Sequence, residues 1–285
     1  MWIIFLVFHL IGLVGYNLLL RKSIVNKADK WTLATIMQTG IALPLLVIAP
    51  FKFPPLDIFT PAIVLHMFIT ALLIVLLHLS NVKSLQYLEA GVYSVIYNLR
   101  IIFTTILGVL FLNEQLIPLQ VVGGLLIFAS VVAVKQKGRK DLTAKGIQWG
   151  LFASVVISVL NLNEKQLISQ FGFMGYAIPV MIFAAIMMWV ILFARGQRIK
   201  PSVFIEPRMV SLMVLRTMSA FGFIIAFSTG GLLSVSTYIS SLGVVLIVIL
   251  GAVLLGERDY LKRKIIAAVV AFAGLTCIFI ANLMR

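Results

Sequence analysis

Apolar residues run along this chain in ten stretches of 18 to 23 residues, separated by short polar connections. About 20 apolar residues at ~1.5 Å rise per residue cross the hydrocarbon of a bilayer, so each stretch predicts one transmembrane helix. The spans are Trp2 to Leu20, Trp31 to Phe51, Pro61 to Val82, Ala90 to Leu112, Leu116 to Val134, Ile147 to Leu167, Tyr176 to Phe193, Val210 to Thr229, Leu233 to Leu255 and Ile265 to Leu283. The third-to-fourth and eighth-to-ninth connections are the least punctuated. Residues Met1 to Leu20 lack a basic start and a small-residue cleavage site, and Arg21 and Lys22 come directly after, so they read as a retained first helix.

One short pattern returns. Leu-Gly-Val-Leu-Phe-Leu-Asn-Glu at 107–114 comes back as Leu-Gly-Ala-Val-Leu-Leu-Gly-Glu at 250–257, 143 positions later. Near that offset Asn17 and Arg21 meet Asn161 and Lys165. Paired Gly, Glu, Asn and basic residues carry more weight here than Leu identities. The chain therefore divides into two five-helix repeats, 1–135 and 145–285, joined by the basic segment Lys135 to Lys145. Two homologous halves with an odd number of spans each must lie inverted in the membrane. The predicted fold class is an all-α polytopic membrane protein.

Composition and charge narrow the class further. The chain is 62% hydrophobic and 11% charged, with a mean hydropathy of +1.13, which is far from a soluble domain. A net charge of +14 could point to nucleic acid, but the basic residues lie between apolar spans and not on an amphipathic face, so membrane orientation accounts for them. Loops one-two, five-six, seven-eight and nine-ten hold 17 of the 23 Lys and Arg residues, and Lys83 adds another. By the positive-inside rule these loops are cytoplasmic and both termini face outward. The expected location is the bacterial cytoplasmic membrane, as monomer or homodimer.

Ten spans, two five-helix halves, and a Gly-containing apolar run closing in Glu at the fourth helix of each half resemble the drug/metabolite transporter superfamily, particularly its EamA-like branch. The resemblance covers nearly the whole chain and implies a carrier of metabolites, drugs or sugar phosphates. Many members place their ends in the cytoplasm, from which the outward termini read here depart. Tyr97-Asn98-Leu99-Arg100 is similar to the Tyr-Gln-Leu-Lys stretch of nucleotide-sugar transporters, and triose-phosphate translocators resemble it in having a lysine near this level.

Polar groups at bilayer depth usually face a cavity or a partner. In the fourth span Tyr93, Tyr97, Arg100 and Thr104 share one helix face, with Asn98 beside them. A guanidinium there could grip phosphate or carboxylate in two places. Its other reading is a structural pair with Glu89 or Glu164, or a stem reaching an interface. Arg216 in the eighth span either turns inward, making an anion-attracting centre with Arg100, or reaches the headgroups. In the repeat-mate helix Ser236, Ser240 and Gly243 replace Tyr93, Tyr97 and Arg100, so the basic group has no counterpart. Asn17 and Asn161 complete the candidate substrate-binding set. Glu164 is a possible proton-coupling residue, or an interfacial carboxylate beside Lys165. Glu114 and Glu257 close their helices and read as loop or interface contacts.

Other chemistries are absent from the sequence. His9, His66 and His78 lie on separate spans with no second ligand at helical spacing, which argues against a metal site; His78, Ser80 and Asn81 either line the cavity or join neighbouring helices. The single Cys277 excludes an internal disulfide. No phosphate-binding glycine loop or nucleophile elbow appears, so neither an ATP-driven pump nor an enzyme is expected, and no cofactor. The expected function is secondary transport of a small anionic or zwitterionic metabolite, with a coupling proton or exchanged metabolite. The alternatives are efflux of neutral or cationic amino acids or drugs, and a non-transporting membrane partner subunit.

Overall fold

A computed structural model describes residues 2–25, 29–112, 117–134, 140–228 and 233–283. Ten α-helices succeed one another: α1 (Trp2–Val25), α2 (Lys30–Lys52), α3 (Pro61–Tyr87), α4 (Ala90–Tyr97), α5 (Leu99–Leu112), α6 (Pro118–Val134), α7 (Lys140–Ala194), α8 (Pro207–Ser228), α9 (Leu233–Leu254) and α10 (Leu261–Leu283). Short 3-10 turns at Leu56–Ile58 and Pro201–Ile205 lie in connections. Local chemistry starts these helices where the polar residues fall. The Asp29 carboxylate accepts from Thr32 N at 2.8 Å, and the Thr60 hydroxyl accepts from Ile63 N at 3.4 Å ahead of Pro61; both are N-caps that satisfy an otherwise unpaired first-turn donor.

Two predicted boundaries change. The fourth span is not one helix: it breaks at Asn98, where the bonds Asn98 N to Val95 O (3.2 Å) and Ile101 N to Asn98 O (3.0 Å) run over three residues instead of four. Conversely, the predicted loop between the sixth and seventh spans is helical. It is replaced by a single residue, Gly172, at φ 70°, which turns α7 into two limbs, 140–171 and 173–194. That backbone is one a side-chain-bearing L-residue rarely adopts. The polar run Asn161 to Gln170 reads as a helix end in sequence, yet its backbone groups remain within a helix. The third helix also runs past Val82 to Tyr87.

With α4 and α5 taken as one bent span and α7 as two, the count is ten. Eight apolar segments among the described residues are long enough to cross a membrane, and two shorter ones, Pro118–Val132 and Leu242–Leu254, accompany them. Their outward faces carry bare Val47 (72% exposed), Phe51 (82%), Phe111 (68%) and Leu125 (64%). An apolar surface of this extent is compatible with lipid as the surrounding solvent.

Helix α1 packs against α8, α3 against α7, and α6 against α10. The α6–α10 crossing brings backbone onto backbone: a Cβ on Gly123 would lie 2.4 Å from Gly274 O, and one on Gly274 would lie 2.5 Å from Gly123 O. Small residues let two helices approach where no side chain intervenes. These pairings bring chain-distant polar residues onto the walls of one internal space.

Candidate functional site

That space is a cavity of about 460 Å³. Its walls come from α1, α2, α3, α5, α7, α8, α9 and α10, with Tyr97 from the end of α4 and Gln120 from the start of α6. Of the residues singled out in sequence, Asn81, Tyr97, Arg100, Thr104, Asn161, Glu164, Arg216 and Ser240 line it. Tyr93 does not. It is buried behind the wall, where its hydroxyl donates to Asn81 Oδ1 at 2.6 Å and its ring stacks on Tyr97 at 5.5 Å. Asn17 is also turned away, its amide donating to Leu13 O at 2.8 Å within its own helix. Asn98 sits buried at the break between α4 and α5 and is not on the wall. The side chain of Ser236 and residue Glu114 lie outside the described residues.

The two arginines share a mode of support. The Arg100 guanidinium lies over the Tyr97 ring, 4.9 Å from its centroid, and that of Arg216 over the Tyr16 ring at 5.1 Å. An aromatic face stabilises a cation without consuming its N–H donors. Arg100 Nε is buried without a hydrogen-bond partner. Neither carboxylate that could have paired with Arg100 does so: Glu89 contacts Lys264, and Glu164 accepts a hydrogen bond from the Tyr176 hydroxyl. Both ion pairs among the described residues lie elsewhere. The structural-pair reading of Arg100 is therefore not what the structure displays, and Arg216 points to the cavity instead of to an interface.

Several wall residues escape sequence reasoning. His9 bridges three helices: its Nδ1 lies 2.6 Å from the carbonyl of Ser219 and its Nε2 lies 2.9 Å from Ser240 Oγ. A carbonyl can only accept, so Nδ1 carries the proton. His78 is not on the wall; it joins helices, one of the two readings its sequence position offered. Its Nε2 meets Gln38 Oε1 at 2.9 Å, and Gln38 Nε2 donates to Met181 O at 2.9 Å. A lone histidine on an apolar helix gives no spacing signal for such partners. Ser154 and Ser158 carry no such signal either. Their hydroxyls reach back to α4 and α5, Ser158 to Arg100 O at 2.8 Å and Ser154 to Ile96 O at 3.3 Å, holding the carbonyls on either side of Asn98. Among the described residues no group of three His, Cys, Asp or Glu side chains could hold a metal.

Chemically, this wall can attract and orient an anion: it presents two cations on aromatic faces, hydroxyls from Thr104 and Ser240, and one carboxyl, Glu164.

No curated protein matches the chain. One solved crystal structure superimposes with a TM-score of 0.67 at 14% identity, covering 98% of this chain and 96% of the other, a likeness of fold. The EamA-like transporter family matches over residues 1–135. With eight membrane-length apolar segments and two shorter ones among the described residues, set around a polar cavity, the chain is a multi-pass membrane protein whose residues 1–135 match the EamA-like transporter family.

Proposed function

We propose that the protein is a secondary carrier for a small anionic or zwitterionic metabolite, held in the cavity by Arg100 and Arg216 and exposed alternately to either side of the membrane. The observation that carries this reading is the pair of cavity-lining guanidiniums with no carboxylate partner among the described residues. Both are only partly buried, yet a cation at bilayer depth without a counter-charge is costly unless a ligand or water supplies one. The carboxyl of Glu164 on the cavity wall, hydrogen-bonded from behind by the buried Tyr176, is the coupling proton's site in this reading.

Inverted halves support alternation between sides. The octapeptide repeats at a fixed offset. Under that offset the contact of α1 with α8 corresponds to that of the first limb of α7 with α3, seen in Ser84 Oγ donating to Gly146 O at 2.9 Å and His66 meeting Asn163 at 2.7 Å. The α6–α10 pair would map onto itself. With the basic loops cytoplasmic, the termini lie outside.

The test is counterflow in proteoliposomes across sugar phosphates, nucleotides, amino acids and cationic drugs, with the unsubstituted protein and Arg100→Ala. Anions should exchange, and Arg100→Ala should suppress that exchange. Binding of cations alone, equally well by Arg100→Ala, would sink the anion reading.

A further inference from the structure

The chain carries a second charged assembly, away from the cavity, at the end of the bundle where the basic loops gather. Arg21, near the end of α1, places Nε 3.0 Å from Glu257 Oε1 and also donates to Leu85 O near the end of α3. The other oxygen of Glu257 accepts from Ala90 N, the first residue of α4, at 2.9 Å. Lys264 in the first turn of α10 contacts Glu89 and donates to Glu257 O at 2.8 Å. All four charged side chains are largely buried, Lys264 to 4% exposure.

Two features give this cluster a meaning beyond helix-end packing. Arg21 with Glu257, Ala90 with Glu257 and Glu89 with Lys264 each join the first half of the chain to the second. The cavity also lies on the far side of it. Cavity-lining residues include Gln120, two residues from the start of α6, and Phe279, four from the end of α10, both at the end opposite the cluster. Toward the cluster the wall stops at Tyr16, Asn81 and Tyr97, five to seven residues short of Arg21, Tyr87 and Ala90.

We propose that Arg21, Glu89, Glu257 and Lys264 form the closed gate of the basic-loop end, and that the structure is the conformation facing the opposite side. This rests on the carrier reading above. Breaking the cluster exposes four charges to water and lets α1 and α4 part from the α9–α10 connection, which is the movement that admits solvent from the basic side. A state held shut by contacts present only in that state is depopulated when they are removed.

The test tracks access to the cavity, so it needs no substrate. In the full chain, Cys277→Ser removes the one native thiol and Leu13→Cys places a thiol on the cavity wall. Vesicles of known orientation are treated with a membrane-impermeant maleimide from either face. The starting protein should label at least tenfold faster from the face opposite the basic loops. Glu257→Gln, which keeps an acceptor for Ala90 N, should raise basic-face labelling at least fivefold, and so should Lys264→Gln. In a separate Cys277→Ser chain that keeps Leu13, Arg21→Cys and Glu257→Cys are joined by a short reducible bifunctional reagent. The cross-link should abolish counterflow, and reduction should restore it. Unchanged face preference in both Gln variants, or full counterflow while cross-linked, overturns the gate. Labelling that shifts as expected in a protein for which no exchanged substrate is found would count against the carrier reading and leave the gate standing.

Discussion

Neighbouring glycines in α6 predict opposite outcomes for the same substitution. A Cβ at Gly123 would sit 2.4 Å from Gly274 O and 2.6 Å from Ile278 Cγ1, whereas one at Gly124 meets only Ile102 Cγ1 at 3.8 Å. Ordinary contact begins near 3.4 Å, so Gly123→Ala requires α6 and α10 to separate by about 1 Å. The opposing atom is a backbone carbonyl, which no side-chain rotation can clear. Overpacking of this kind costs about 1–3 kcal/mol, and the ~1 kcal/mol helix-propensity gain of Ala over Gly offsets only part of it. Gly124→Ala keeps the gain without the clash. The measurement is reversible unfolding of the purified protein in mixed micelles with increasing SDS. Gly123→Ala should unfold at lower SDS than the unsubstituted chain, and Gly124→Ala at equal or higher SDS. Gly123→Ala and Gly274→Ala together should cost less than their sum, since the first separation relieves the second contact. If Gly123→Ala proves as stable as Gly124→Ala, the backbone-to-backbone crossing is not what joins these helices.

Other expectations come from the cavity and the gate. Arg100→Ala should weaken anion binding by roughly 10- to 150-fold, the equivalent of about 1.5–3 kcal/mol for one charged hydrogen bond; thermal-shift titration measures it, and Arg100→Lys should recover only part because a single ammonium replaces the two-pronged guanidinium. Glu164→Gln should retain counterflow but lose accumulation driven by a pH gradient, and accumulation that persists would remove Glu164 from the coupling path. Burial pushes the Glu257 carboxyl above the ordinary carboxylate range, with Arg21 opposing and Glu89 adding to the shift. Between its unfolded and folded pKa the folded chain binds more protons than the unfolded, so this group's contribution to stability falls as pH rises through that window. With Glu257 facing Arg21, Glu89 and Lys264, unfolding in mixed micelles should therefore need more SDS at the acid end of that window than at its basic end, a difference that Glu257→Gln should lack.

The spans were legible in sequence because lipid demands long apolar segments with their backbone bonds closed internally. Arg100 and Arg216 were legible for the complementary reason: a charge at that depth needs a use. The features that escaped reading depend on partners remote in the chain. Arg21 and Glu257 are separated by 236 residues, and nothing in the spacing of either reveals the other. His9 finds Ser219 and Ser240 only when three helices meet. Gly172 was hidden differently, since a polar stretch ending in glycine reads as a loop whether or not the helix continues to its edge. Tyr93 shares a face with Tyr97 and stacks on it, but it lies one turn beyond the level at which the cavity wall stops, where Asn81 takes its hydroxyl.

That break also divides the labour of one span. The eight residues Ala90–Tyr97 belong mechanically to the gate, through Ala90 N on Glu257, while Leu99–Leu112 carries the guanidinium of Arg100. Serines four residues apart on the first limb of α7 grip the carbonyl of Ile96 before the joint and that of Arg100 beyond it. The arrangement is that of a knuckle with a ligament across it: both bones are tied to the same limb of α7, so under the carrier reading a movement at the charged latch would be felt at the guanidinium.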